Sequence, residues 1–124
     1  IPANLQRDPI GESIAYMRAN IDKIFSVNDF AKRLSLSGSH YSSLFRSKIG
    51  LSPIDYFIKL KIHYACQLLS QTDFKINLIA EKIGYDDSFY FSRLFKKING
   101  KSPKAYRIAV NEKKELQPDS KFRK

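Results

Sequence analysis

Cysteine is almost absent from this 124-residue chain: the single thiol, Cys66, cannot close an internal disulfide, which excludes a cross-linked framework. His40 and His63 are the only histidines, and neither has a partner spaced for metal binding or general-base work, so no metal and no cofactor is expected. No apolar run approaches the roughly 18 residues needed to cross a bilayer. The opening stretch, Ile1 to Asp8, also lacks the basic-then-apolar order of a secretion signal. The expectation is a cytoplasmic chain with no membrane span, and its start on Ile1 rather than Met reads as a portion cut from a longer protein. There is no phosphate-cradling glycine loop and no nucleophile with a base at usable spacing, which makes an enzyme the weakest reading. Acidic residues are scarce too. Twelve Asp and Glu stand against 22 Lys and Arg, a formal charge of +10 that favours a polyanionic partner, nucleic acid or an anionic surface, over a basic face kept only for solubility.

What the chain does have is apolar residues, 43% of the total, enough for one compact domain or two small ones. They recur with a helical period and nowhere alternate as a strand would, so the expected fold is all-α. Ile10, Ile14, Met17, Ile21 and Ile24 form one stripe along a first helix. Ser26 with Asp29 reads as a capping box opening a short helix through Leu34, and Ser37 caps a third that Gly50 ends near Ile49. Ser52, Pro53 and Asp55 start a long helix to about Ser70. A short helix from about Ile76 to Ile83 ends at Gly84. Asp86 or Asp87 caps the next, through Asn99, and Ser102 with Pro103 opens a last one through Val110. Residues 1–9 read as a linker and 111–124 as a frayed, charged tail.

The organising feature is an internal repeat. Leu44, Phe45, Gly50, Ser52, Pro53 and Tyr56 recur fifty residues later as Leu94, Phe95, Gly100, Ser102, Pro103 and Tyr106, while Ala31 and Leu34 recur forty-nine later as Ala80 and Ile83. Each copy is a short helix, a tight turn, a second helix and a Ser-Pro start to a third, which is the helix-turn-helix plan. Seven helices therefore form two helix-turn-helix subdomains, about 10–51 and 75–110, joined by a connector helix over 52–71. That connector, about 19 residues and about 28 Å long, approaches the roughly 34 Å between successive major-groove faces on one side of B-DNA.

The second helix of each copy is the candidate reader. Tyr41, Leu44, Phe45 and Ile49 share a core-facing side in the first, as do Phe91, Leu94, Phe95 and Ile98 in the second. The opposite sides hold the expected base-contacting residues, Ser39, His40, Ser42 and Ser43 in the first helix and Ser88, Phe89, Ser92 and Arg93 in the second. Arg93 can offer paired donors to guanine O6 and N7, serine hydroxyls both donate and accept, and Phe89 can pack on a thymine methyl. Two alternatives stay open: an ion pair of Arg93 with Asp86 or Asp87, and packing of Phe89 against a neighbouring helix. Arg46, Lys96, Lys97 and Lys101 are the expected phosphate contacts, or else a plain solvated basic face. His40 and His63 are otherwise surface or packing residues, and Cys66 a small core residue. The first helix carries mostly serines, so the second is expected to discriminate more.

These residues resemble the AraC/XylS family of bacterial transcription regulators. The second copy carries the likeness in Gly84, Tyr85, Asp87, Phe91, Arg93, Phe95, Lys96, Lys97, Gly100, Ser102, Pro103, Tyr106 and Arg107. The first adds Ala31, Leu34, Leu44, Phe45, Gly50, Ser52, Pro53 and Tyr56, and the connector Ala65, Leu68 and Leu69, so that the resemblance covers about residues 10–108. It implies two recognition helices in neighbouring major grooves of double-stranded promoter DNA. It also implies a separate sensing and dimerising domain outside this chain. RNA polymerase is a further candidate partner. Ser35, where the family often has a turn glycine, departs from the pattern, as does Lys75, where a capping hydroxyl is usual. The competing reading from another class is a basic helical adaptor for a protein partner.

Overall fold

The computed structural model describes residues 8–116, all of whose regular structure is helical: α1 (Pro9–Ala19), α2 (Val27–Arg33), α3 (Gly38–Ile49), α4 (Pro53–Gln71), α5 (Ile76–Lys82), α6 (Ser88–Asn99) and α7 (Pro103–Glu115). The expected linker through residue 7 and the tail from residue 117 lie outside the described residues. Two compact units divide between Lys61 and Ile62, inside α4, so that one continuous helix serves as the last of the first unit and the first of the second.

In the first unit each helix starts where a short polar side chain satisfies a free backbone N–H. Asp8 accepts from the Ile10 N–H ahead of α1 with Pro9 in the first turn, so the helix begins inside the stretch expected to be linker. The Ser26, Ser37 and Ser52 hydroxyls accept from the Asp29, His40 and Asp55 N–H groups, as their spacing predicts. The core is Ile10 and Met17 of α1, Phe25, Phe30 and Ala31, Tyr41 and Phe45 of α3, and Phe57 of α4. Its rings touch edge to face or tilted, Phe30 to Tyr41 at 5.7 Å and Tyr41 to Phe45 at 6.0 Å between centroids. The buried Tyr41 hydroxyl and the buried Ser13 hydroxyl share a 2.6 Å hydrogen bond, so neither polar atom is left bare.

The first apolar stripe breaks earlier than its periodicity predicts. The Asn20 backbone and side-chain N–H groups both donate to the Tyr16 carbonyl, which caps α1 at Ala19. Ile21 still packs against the core from the turn, whereas Ile24 is 94% exposed. The turn is held from α4 by Lys61, only 6% exposed, whose ammonium donates to the carbonyls of Ile21 (2.6 Å) and Lys23 (3.2 Å) and lies 4.5 Å from the Phe57 ring centre. Burial pushes its pKa down to about 8, opposed by the nearby Asp22 carboxylate.

In the second unit the core is Ile62, Ala65 and Leu69 of α4, Ile79 and Ala80 of α5, Ile83, and Phe91 and Phe95 of α6. Arg107 of α7 closes the end of α4: its Nε donates to the Leu69 carbonyl (3.0 Å) and its Nη2 to the Thr72 carbonyl (3.1 Å). Cations at this end also complement the helix dipole. Lys114 donates to the Ser70 carbonyl. That contact explains why α7 continues to Glu115 instead of fraying after Val110; Asn111 to Glu115 contain no breaker, and the anchored lysine holds the extra turn. Lys75 precedes α5 at the capping position and makes no side-chain capping bond, in keeping with the absence of a hydroxyl there. Two core expectations are corrected. Ile98 is 40% exposed, because α6 has turned its last residues out past the second-unit core. Cys66 is only half-buried, its Sγ accepting from the Asn99 side-chain amide at 3.3 Å.

The two helix-turn-helix turns superimpose in their bonding. In the first, Ser35 N–H donates to the Lys32 carbonyl and Leu36 N–H to that of Ala31; in the second, Gly84 donates to Glu81 and Tyr85 to Ala80. The left-handed position is glycine in one, Gly84 at φ 92°, and serine in the other, Ser35 at φ 61°. An L-residue there carries about 1–2 kcal/mol of strain. Glycine avoids it at an entropic cost of about 0.5–1 kcal/mol.

Two outcomes follow from this architecture. Ser35→Gly is expected to stabilise the first unit by roughly 0.5–1 kcal/mol and Gly84→Ala to destabilise the second by about 1 kcal/mol, read as shifts of the urea midpoint with unchanged slope. For Lys61, the folded pKa of about 8 lies below the unfolded value of 10.5, so the unfolded chain holds the proton more tightly. Its stability contribution is full above the unfolded value and is lost as pH falls through the folded one. The unfolding free energy of the protein should therefore rise from about pH 8 to pH 10 relative to Lys61→Met; parallel pH profiles would contradict it.

Candidate nucleic-acid interface

The second helix of each unit is oriented by its aromatic anchors. Tyr41 and Phe45, four residues apart on α3, are fully buried, and so are Phe91 and Phe95 on α6. With one side of each helix fixed inward, the opposite side is left outward. On α3 that side exposes Ser39, His40, Ser43 and Arg46, with Ser42 half-buried beside them. On α6 it exposes Phe89, Arg93, Lys96 and Lys97, with Ser88 and Ser92 half-buried, and Lys101 stands exposed just beyond Gly100. Each unit thus gathers its expected contact residues along the outward side of its second helix, except Lys101, which follows the end of α6.

Neither helix carries an acidic residue, so Arg46 and Lys48 on α3 and Arg93, Lys96 and Lys97 on α6 are locally uncompensated. Among the described residues Arg93 forms no ion pair. The Asp87 carboxylate is engaged elsewhere, accepting from the Phe89 N–H (2.9 Å) and the Tyr90 N–H (3.2 Å) as the cap of α6. Phe89 is 76% exposed and is not packed beneath a neighbouring helix, which removes that alternative for it. Covering that ring would take apolar surface out of water, a favourable change of up to about 1.5–3 kcal/mol if the side chain were fully buried.

Tyr90 was missing from the sequence-based set. It is 45% exposed at the first turn of α6, its ring 5.6 Å from that of Tyr85, whose own hydroxyl is pushed above the ordinary phenol range by burial and by the neighbouring Tyr90. The repeat holds the signal, since Tyr90 stands fifty residues after His40, an expected base-contacting residue. Such a surface can donate, accept and make apolar contact within a few residues of helix, the combination that base edges in a major groove present. No group of three potential metal ligands occurs among the described residues, and no described helix is long and apolar enough to cross a membrane.

Comparison with known proteins agrees with this geometry. Residues 30–109 match the family model described as a helix-turn-helix domain. The MmsAB operon regulatory protein of Pseudomonas aeruginosa is 43% identical over 98 residues, which are 79% of this chain and 32% of that protein. The arabinose operon regulatory protein of Escherichia coli is 35% identical over 105 residues, 84% of this chain and 36% of that one. The chain thus spans about a third of the length of these relatives. Among solved structures, the DNA-binding domain of the global transcriptional factor AdpA in complex with a target DNA superimposes with a TM-score of 0.81 at 26% identity, covering 89% of this chain and 99% of that one. The C-terminal domain of AraT, a response regulator from Geobacillus stearothermophilus, does so with a TM-score of 0.78 at 30% identity, covering 83% and 86%. Two helix-turn-helix units, seven helices and these relatives together show that the chain belongs to the AraC family of helix-turn-helix transcription regulators.

Proposed function

We propose that this chain binds double-stranded DNA sequence-specifically to regulate transcription at bacterial promoters, each unit offering its second helix to a major groove. The observation that carries the reading is the outward side of α6, where Phe89, Arg93, Lys96 and Lys97 are exposed on a helix free of acids. The likeness to a domain solved with its target DNA supports it. In this reading Arg93 is the principal base reader. Ser88, Phe89 and Ser92 flank it, Ser39, His40, Ser42 and Ser43 form the weaker set of the first unit, and Arg46, Lys96, Lys97 and Lys101 contact phosphates. In this reading the two second helices occupy adjacent major grooves. The parent protein is a cytoplasmic regulator with a sensing and dimerising domain beyond this chain and RNA polymerase as a partner at the promoter. Its relatives are operon regulators about three times as long, which supports that reading. The role is binding rather than catalysis.

Selection of bound duplexes from a random oligonucleotide pool tests the proposal, and a motif about two groove-widths long is the expected result. With six to ten phosphates engaged, affinity should fall by about 10³–10⁵ between 50 and 200 mM salt. Arg93→Ala should relax preference at one or two base pairs, whereas Lys96→Ala should weaken every sequence alike. A protein-binding adaptor would select no motif, and equal effects of the two substitutions on random and selected DNA would refute the assigned roles.

A further inference from the structure

Of the exposed side chains on α6, the most expensive to leave in water is Phe89. It occupies the second position of the helix, 76% exposed, and the Asp87 carboxylate fixes the backbone there by accepting from its own N–H at 2.9 Å. A phenyl ring has no hydrogen bond to give or take, so on a base edge in the major groove it can recognise only an apolar group. The one apolar group a pyrimidine edge presents there is the methyl at C5. Four residues on, Arg93 lies one helical turn away on the same side, also exposed and outside any ion pair among the described residues. Residues four apart are separated by about 6 Å along a helix, and base pairs on one strand rise by about 3.4 Å each. The two side chains therefore fall on neighbouring pairs, no more than about three steps apart once the length of the arginine stem is allowed for.

We infer that the second unit reads a C5-methyl pyrimidine with Phe89 within about three base pairs of a guanine read by Arg93, so that the methyl group itself is a determinant of the site. This rests on the proposed DNA-binding function and narrows it to one chemical feature of the ligand. It has a consequence that a hydrogen-bonding reader would not share. Thymine and 5-methylcytosine carry the same methyl at the same place, so methylation of a cytosine at the Phe89 position strengthens binding, while demethylation of thymine to uracil weakens it with every hydrogen-bonding group of the pair intact.

The test uses the duplex that the protein itself selects from a random pool. Each thymine is replaced in turn by uracil, each guanine by 7-deazaguanine, which lacks the N7 acceptor, and dissociation constants are compared at one fixed salt concentration. One thymine in the half of the site bound by the second unit should lose about fourfold on conversion to uracil, the equilibrium equivalent of one buried methyl-sized group. A cytosine put in its place should regain the same factor when methylated at C5. Both effects should vanish in Phe89→Ala, persist in Phe89→Leu, and persist in Arg93→Ala, whereas the 7-deazaguanine effect within about three pairs should vanish only in Arg93→Ala. Because Phe89 is exposed, the alanine variant should keep the helical circular dichroism and melting of the parent. A chain that selects no motif refutes the DNA-reading function and this inference together. One that selects a motif yet is indifferent to uracil, or keeps the uracil effect undiminished in Phe89→Ala, refutes the inference alone.

Discussion

Burial of two aromatic rings one turn apart is the constraint on which the two second helices depend. Once Tyr41 with Phe45, and Phe91 with Phe95, are taken fully out of solvent, the rotation of α3 and α6 about their own axes is no longer free. Two large rings on one side of a short helix bury several kcal/mol of apolar surface, far more than any surface ion pair could oppose. The polar side is then a consequence of the core: serines, arginine and lysines are held out because the rings are held in. The helix-turn-helix turns work to the same end, since the paired bonds from Leu36 to Ala31 and from Tyr85 to Ala80 set where each second helix begins.

The same framework carries two different chemistries. In the first unit the outward side is made of small hydroxyls, His40 and one arginine, groups that adapt to several partners. In the second it carries a guanidinium, two ammonium groups and an uncovered phenyl ring, which are more demanding. The turns reverse that order: the second unit has glycine in its left-handed position, and the first tolerates serine at φ 61°. Backbone strain and side-chain poverty thus fall in the same unit, while the unit with the relaxed turn holds the more discriminating surface.

Much of this was legible in the amino-acid sequence, and the reasons are local. Ser26, Ser37, Ser52, Asp87 and Ser102 announce helix starts because a cap is a contact within three residues, and Gly50, Gly84 and Gly100 announce ends because only a left-handed residue fits there. The repeat made both second helices visible. What escaped was settled at long range. The turn after α1 is held by Lys61, forty residues on from the Ile21 carbonyl it binds, the extra turn of α7 by the Ser70 carbonyl, and the exposure of Ile98 by where the second core ends. None of these leaves a periodic trace. Tyr90 is a different kind of miss, since its place fifty residues after His40 in the repeat was readable.

The continuity of α4 has a kinetic meaning. Starting a helix is the unfavourable step, because a first turn immobilises several residues for one hydrogen bond, whereas lengthening it is nearly free. Phe57 draws one half of α4 into the first core and Leu69 draws the other half into the second, yet both halves grow from a single ladder of backbone bonds. Whichever core condenses first therefore hands its neighbour a helix already begun, and a single nucleation event serves two hydrophobic centres.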